Sequence, residues 1–248
     1  MRVLVTGHRG FIGKCVYNEL KRIGHDVDGL DRPDDIGDFT PYKIYGYYDC
    51  IIHLAAYAAI RDSIENPDKF WENNVVKSKP IFDYCRDFDV RCLYASSSAV
   101  KKWWENPYAI TKYVNEVQAP PNSVGMRFYT VYADQDSRSD MMYRMLQEGR
   151  ATYVTNHFRD WIHVNDVCNA IKTLMESEYC GVVDVGTGIP YPVKELARVM
   201  GQGDLPVKEN TPGEADVTRA DISVLQSLGW TPKHDVFDSA RRFAMINE

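Results

Sequence analysis

Three evenly spaced glycines, Gly7-His-Arg-Gly10-Phe-Ile-Gly13, follow the apolar run Met1-Arg-Val-Leu-Val-Thr6 without a linker. Beyond them, residues 14–24 place Val16, Leu20 and Ile23 on one helical face. A buried strand that turns sharply through glycines into a helix points unpaired backbone N–H groups at one spot. The helix dipole adds partial positive charge there, so the spot suits a phosphate. The spacing is G-x-x-G-x-x-G, not the commoner G-x-G-x-x-G, and an ordinary strand–turn–helix has the same outline. Position separates the two readings: the motif directly follows a strand, and an acid lies at the right distance downstream.

That acid is Asp31, at the end of a second strand over residues 25–31, about 20 residues past the glycines, where a carboxylate can accept from adenosine ribose hydroxyls. A carboxylate there also repels a 2′-phosphate, which favours NAD over NADP. Arg32 blurs that preference, while Asp34, Asp35 and Asp38 keep the neighbourhood acidic. Residues 49–56, Asp-Cys-Ile-Ile-His-Leu-Ala-Ala, form another buried strand whose small terminal side chains let a flat ligand approach the backbone. His53 reads as a core or strand-end histidine. Pro67 starts the next helix, carrying Phe70, Trp71, Val75, Ile81 and Tyr84, with Pro80 as a possible kink. Asn73 and Asn74 are poor helix formers in its middle, free to bond a neighbouring loop or the nicotinamide side of a cofactor.

The strand Val90-Arg-Cys-Leu-Tyr-Ala95 runs into Ser96-Ser-Ser98, and Tyr108-Ala-Ile-Thr-Lys112 follows. Tyr108 and Lys112 are four apart and share one helix face. An ammonium beside a phenol favours the phenolate, and a tyrosine so tuned is a general base for a hydroxyl proton. Alone, Y-x-x-x-K usually marks an amphipathic surface turn. After a serine-ended strand and a nucleotide loop, the chemical reading is the better one. The helix ends before Pro120-Pro121. A strand over 123–129, a polar loop, a helix from 141 to 148, the segment Arg159-Asp-Trp-Ile-His-Val-Asn-Asp166 with its helix, and a strand over 181–185 follow in order.

Composition bounds the alternatives. At 248 residues the chain can bury a full core. A net charge of −6 leaves no basic face to track phosphates, so no nucleic-acid partner is expected. No apolar run approaches the ~20 residues needed to cross a bilayer, and the N-terminus lacks a signal-peptide layout, so a cytoplasmic protein without membrane partners is expected. The six cysteines contain no C-x-x-C pair and read as reduced core residues, with neither a metal site nor a disulfide frame.

Taken together these motifs resemble the extended short-chain dehydrogenase/reductases, specifically the NAD-dependent sugar-nucleotide epimerase/dehydratase family. The resemblance rests on Thr6–Gly13, Asp31, His53-Leu-Ala-Ala56, Asn73-Asn-Val75, Ser96-Ser-Ser98, Tyr108-x-x-x-Lys112, Arg127-Phe-Tyr-Thr-Val-Tyr132, Arg159-Asp-Trp-Ile-His-Val164 and Ala220-Asp-Ile-Ser223. Met126–Tyr132 followed by Arg138-Ser-Asp-Met141 looks most like the UDP-glucuronate 4-epimerase branch. It implies an α/β fold: a doubly wound parallel Rossmann sheet of about seven strands with a smaller C-terminal substrate lobe. Residues 1–129, with 160–187 returning to them, would hold NAD, and 130–248 would form most of the lobe.

The resemblance also assigns roles. Ser98 helps bind the reacting hydroxyl, Tyr108 takes its proton, and Lys112 holds the nicotinamide ribose. The implied cofactor set is Gly7, Arg9, Gly10, Phe11, Ile12, Gly13, Asp31, Arg32, Asp38, Phe39, Leu54, Ala55, Ala56, Asn73, Ser96, Tyr108 and Lys112. The implied substrate set is Ser97, Ser98, Tyr129, Thr130, Arg138, Arg159, Glu214 and Arg219, with a UDP-sugar as expected partner. The implied reaction is 4-epimerisation through a 4-keto sugar. A 4,6-dehydratase, which typically has Asp-Glu where this chain has Ala99-Val100, is the alternative. A keto-sugar reductase and a catalytically silent NAD-binding protein also stay open. Thr211 stands where relatives often carry an arginine before Pro-Gly-Asp/Glu, leaving Arg219 as a substitute. Trp103 and Trp104, in the short loop before Tyr108, either wall the pocket or pack beneath it. Relatives dimerise through the helix that Pro120-Pro121 clips here, so a homodimer is expected.

Overall fold

In the computed structural model, residues 1–31, 47–209 and 211–247 are described. Of the expected cofactor contacts, Arg32, Asp38 and Phe39 lie outside them. The chain divides into two units, the first made of residues 1–127 and 171–183, the second of residues 128–170 and 184–248.

In the first unit, β1 (Arg2–Thr6) pairs in parallel with β2 (Asp26–Leu30) and with β3 (Cys50–His53), and β3 pairs in parallel with β4 (Arg91–Ser97). Val3, Val5, Cys50, Ile51 and Ile52 are wholly buried. Strands covered on both faces read as unbroken apolar runs, as these do. With β5 (Ser123–Phe128) and β9 (Gly181–Val185) the sheet runs β2-β1-β3-β4-β5-β9. The order reverses direction between β1 and β3, and ligands of open α/β sheets bind in the crevice at such a reversal.

The helices of this unit are α1 (Phe11–Arg22), α2 (Ile60–Glu65), α3 (Pro67–Trp71), α4 (Lys79–Asp87) and α5 (Pro107–Gln118). The single helix expected from Pro67 is broken. A π-helical turn over Glu72–Val76 separates α3 from α4, and Pro80 sits in the first turn of α4, where its missing N–H costs nothing. α4 buries Ile81, Phe82, Tyr84 and Cys85, each apolar side chain of this size contributing roughly 1.5–3 kcal/mol. Arg91 secures the returning segment: its Nη2 donates to the carbonyls of Leu174 and Tyr179 at 2.9 and 2.7 Å.

In the second unit, β6 (Thr130–Tyr132) runs parallel to β8 (Phe158–His163), and β10 (Pro190–Pro192) runs antiparallel to β8. β7 (Val154–Thr155) pairs with β11 (Val207–Lys208). α6 (Met142–Gln147), α8 (Val193–Val199), α9 (Ser223–Ser227) and α10 (Val236–Asn247) complete the set, and α7 (Val164–Glu176) begins here and ends in the stretch 171–183 assigned to the first unit. Tyr132, Tyr143, Leu146, Trp161, Leu196 and Val236 form its core. The main sheet holds six strands among the described residues, against about seven expected. β10 does not join it, because its two prolines lack ladder donors and suit an edge, here the edge beside β8.

No described helix is long and apolar enough to cross a membrane, and no two of the cysteines form a disulfide.

Candidate active site

The glycine turn closes against the end of β3. Gly7 has φ +71°, in the left-handed region, and a Cβ there would sit 2.8 Å from the Ala55 nitrogen. A Cβ on Gly13 would come within 2.0 Å of the Gly7 carbonyl oxygen, so α1 packs directly on the turn. The Gly10 amide donates to the Gly7 oxygen at 2.9 Å, and no side chain caps the N-terminus of α1. The amides of Phe11 and Ile12 at this uncapped end are the donors a phosphate needs. Asp31 Oδ2 accepts from the Arg9 backbone N–H at 2.8 Å, which ties the turn to the end of β2.

Leu54, Ala55 and Ala56 leave β3 beside that turn. Ala55 N donates to Thr6 Oγ1 at 3.2 Å, Thr6 Oγ1 lies 2.7 Å from His53 Nδ1, and His53 Nε2 lies 2.8 Å from Ser78 Oγ. Burial first, and the charge of Lys112 second, hold the His53 pKa down to about 3. A neutral imidazole bridging two hydroxyls is a strand-end brace, consistent with the core reading of this histidine. The two asparagines divide their work in a way the sequence did not indicate. Asn74, wholly buried, accepts from Tyr57 N at 2.9 Å and donates to Tyr57 O and Thr111 Oγ1 at 3.0 and 3.1 Å. Asn73 donates to Asn74 Oδ1. The π-helical turn rotates the second asparagine inward.

Asn106 caps α5 by accepting from Ala109 N at 2.8 Å, and Pro107 occupies the first turn. This start places Tyr108 in the first turn, buried, with its ring edge-on to Phe70 at 6.3 Å. Lys112, 3% exposed, donates from Nζ to the Ala95 carbonyl at 2.9 Å and lies 6.0 Å from the Tyr108 ring centroid. Burial lowers its pKa to about 8, so it carries a proton at neutral pH. The three serines behave differently from one another. Ser96 donates to Glu116 Oε1 at 2.6 Å, Ser97 caps the following 3-10 helix (Ser98–Glu105) by accepting from Ala99 N, and Ser98 opens that helix, partly exposed. Trp103 stacks flat on Tyr113 of α5 at 5.0 Å, and Trp104 is largely exposed.

In the second unit Arg159 is clasped by its own chain. Nη1 donates to the carbonyls of Ala215, Phe158 and Asp216 at 2.6, 3.2 and 3.3 Å, and Nη2 to Glu214 Oε2 at 3.3 Å. Nη2 also lies 2.6 Å from His157 Nδ1. A guanidinium only donates, so Nδ1 accepts; the His157 proton is then on Nε2, 3.1 Å from Thr211 Oγ1. Burial lowers the Arg159 pKa and Glu214 opposes that effect. Asp160, wholly buried, accepts from Thr187 N, Thr187 Oγ1, Gly188 N and Ala220 N between 2.7 and 2.9 Å, which fixes the turn after β9. Tyr129 Oη lies 2.9 Å from Asp184 Oδ2 and 2.8 Å from the Arg219 carbonyl. The Arg219 side chain is exposed and donates to Gly188 O, Thr130 opens β6, and Arg138 forms a fork with Asp140. Glu116 and His157 were not singled out in the sequence. Only the inward-facing polar positions of otherwise apolar elements could have marked them.

A glycine turn that opens a helix uncapped by any side chain, at the reversal of a parallel sheet, with a buried tyrosine–lysine pair on the neighbouring helix, is the arrangement of a dinucleotide-binding fold of the short-chain dehydrogenase type. A model of the NAD dependent epimerase/dehydratase family matches residues 3–186, and the chain belongs to that family. NAD is the family's cofactor, and the uncapped amides of the turn fit its pyrophosphate. The chain is similar to Protein CapI of Staphylococcus aureus, at 31% identity over 233 residues, covering 71% of this chain and 70% of that one. It is similar to UDP-glucuronate 4-epimerase 4 of Arabidopsis thaliana, at 28% identity, covering 97% and 74%. Among solved structures, MoeE5 in complex with UDP-glucuronic acid and NAD matches with a TM-score of 0.86 and 25% identity, covering all of both chains.

Proposed function

We propose that the protein is an NAD-dependent sugar-nucleotide 4-epimerase acting on a UDP-sugar. The observation that carries this reading is the buried Tyr108 with the Lys112 ammonium 6.0 Å from its ring centroid. Bound NAD⁺ would supply the hydride acceptor for C4 oxidation and, as NADH, the donor for reduction from the opposite face of the sugar. Tyr108 takes the C4 hydroxyl proton as the ketone forms and gives it back as the hydroxyl is restored. Lys112 supplies the positive charge that favours the phenolate and holds the nicotinamide ribose. Ser98 hydrogen-bonds the reacting oxygen. Arg159 binds the diphosphate, with Glu214 and Thr130 as further substrate contacts. Removal of water across C5 and C6 would need an added acid and base, and the 3-10 helix after β4 offers Ala99 and Val100 at those positions.

Incubation with UDP-, GDP-, dTDP- and CDP-sugars, followed by resolution of the products, tests this. A C4 epimer that keeps a deuterium placed at C4 is expected. Solvent hydrogen at C4, or a 4-keto-6-deoxy product, would overturn it. Tyr113, Val117 and Trp104 are exposed on α5 and the helix before it, which supports a homodimer through this face. Sedimentation should then report a dimer.

A further inference from the structure

Glu116 lies one turn beyond Lys112 and two beyond Tyr108 on α5, and its side chain is 8% exposed. Its carboxylate receives three bonds: from Ser96 Oγ to Oε1 at 2.6 Å, from Arg127 Nε to Oε1 at 2.8 Å, and from Arg127 Nη2 to Oε2 at 2.7 Å. One carboxylate therefore joins α5 to the end of β4 and to β5. The end of β4 is held to the helix at two successive residues, since Ala95 offers its carbonyl to Lys112 and Ser96 its hydroxyl to Glu116. Among the described residues Lys112 makes no ion pair. Its ammonium sits where the Ala95 carbonyl puts it, and that carbonyl belongs to the peptide bond that leads into Ser96.

Burying an ion pair is a poor way to gain stability, because the desolvation cost rivals the attraction and packed apolar side chains would serve as well. What the bidentate fork supplies is direction. We propose that Glu116 is a positioning residue: held by Arg127 and bonded by Ser96, it fixes the end of β4 against α5 and so sets Lys112 relative to Tyr108. Ser96 acts through this contact and not on the cofactor. What the Tyr108–Lys112 pair does chemically rests on the function proposed above.

The test compares Ser96→Ala, Ser96→Thr and Glu116→Gln in the NAD-loaded protein. Tyr108 is titrated by its phenolate absorbance, as a difference from Tyr108→Phe in each background. Ser96→Ala and Glu116→Gln should raise the phenol titration by about one pH unit and lower kcat about 10-fold, with KM for the nucleotide sugar and NAD retention unchanged. Ser96→Thr, which keeps the hydroxyl, should restore both. A folded Ser96→Ala protein with wild-type phenol titration overturns the proposal, and weakened NAD retention in that variant would return Ser96 to the cofactor. If Glu116→Gln does not fold, the two neutral Ser96 variants decide alone. If no nucleotide sugar is turned over by the parent protein, the epimerase reading fails while the phenol titration still judges the positioning role.

Discussion

The glycine turn of the first unit and the Arg159 cluster of the second are both candidate anion sites, and they are built in opposite ways. In the turn the donors are backbone amides, fixed by the backbone, and no side chain caps the N-terminus of α1. At Arg159 the donors are on a long side chain, and Ala215, Asp216, Glu214 and His157 already accept from it. A phosphate at the N-terminus of α1 would displace no side-chain cap. At Arg159 it must exchange with acceptors of the same chain, Glu214 above all. Rigid backbone suits a cofactor that stays bound through many turnovers, and exchangeable side-chain contacts suit a substrate that must leave.

The sharpest way to divide the two sites is to disable each alone. Tyr108→Phe leaves both anion sites intact and removes the proton acceptor, so kcat should fall about 1,000-fold with NAD and UDP binding unchanged, as read by steady-state kinetics and calorimetry. Gly7→Ala puts a Cβ 2.8 Å from the Ala55 nitrogen at a positive φ, and NAD affinity should fall about 100-fold while UDP affinity holds. Loss of UDP binding in the same variant would break the distinction.

The brace under the turn gives a pH test. The folded His53 pKa, about 3, lies below the unfolded value of 6.5, so the unfolded chain binds the extra proton between them. The contribution is complete above pH 6.5 and is lost as pH falls towards 3, amounting to about 2 kcal/mol by pH 5. Urea midpoints across that range should show it, and His53→Gln should flatten the profile. Arg159→Ala gives the smallest effect, since its bonds to an anion replace bonds already made: UDP affinity should fall about 10-fold with NAD retention unchanged. An equal fall in NAD retention would mean that the two sites are not separate.

Much of the first site was legible because it is written in backbone logic. Gly7, Gly10 and Gly13 are local requirements of one turn, and Asp31 falls where a strand of fixed length must end. Tyr108 and Lys112 were legible because four residues make one helix turn. Asn73 and Asn74 look alike in sequence, and the π-helical turn decides that Asn74 is the buried one. The adjacent serines Ser96, Ser97 and Ser98 look alike in sequence. The pleat aims their side chains differently, and Glu116, which takes the Ser96 hydroxyl, is 20 residues away.

By itself the sequence determined a parallel nucleotide-binding sheet, its glycine turn and the tyrosine–lysine pair, since each depends on neighbours a few residues apart. Only the tertiary structure decided which serine meets Glu116, which asparagine turns inward and that Arg159 is already held by residues 214–216. Those choices are made between side chains far apart in the chain, where burial forces every polar group to find a partner.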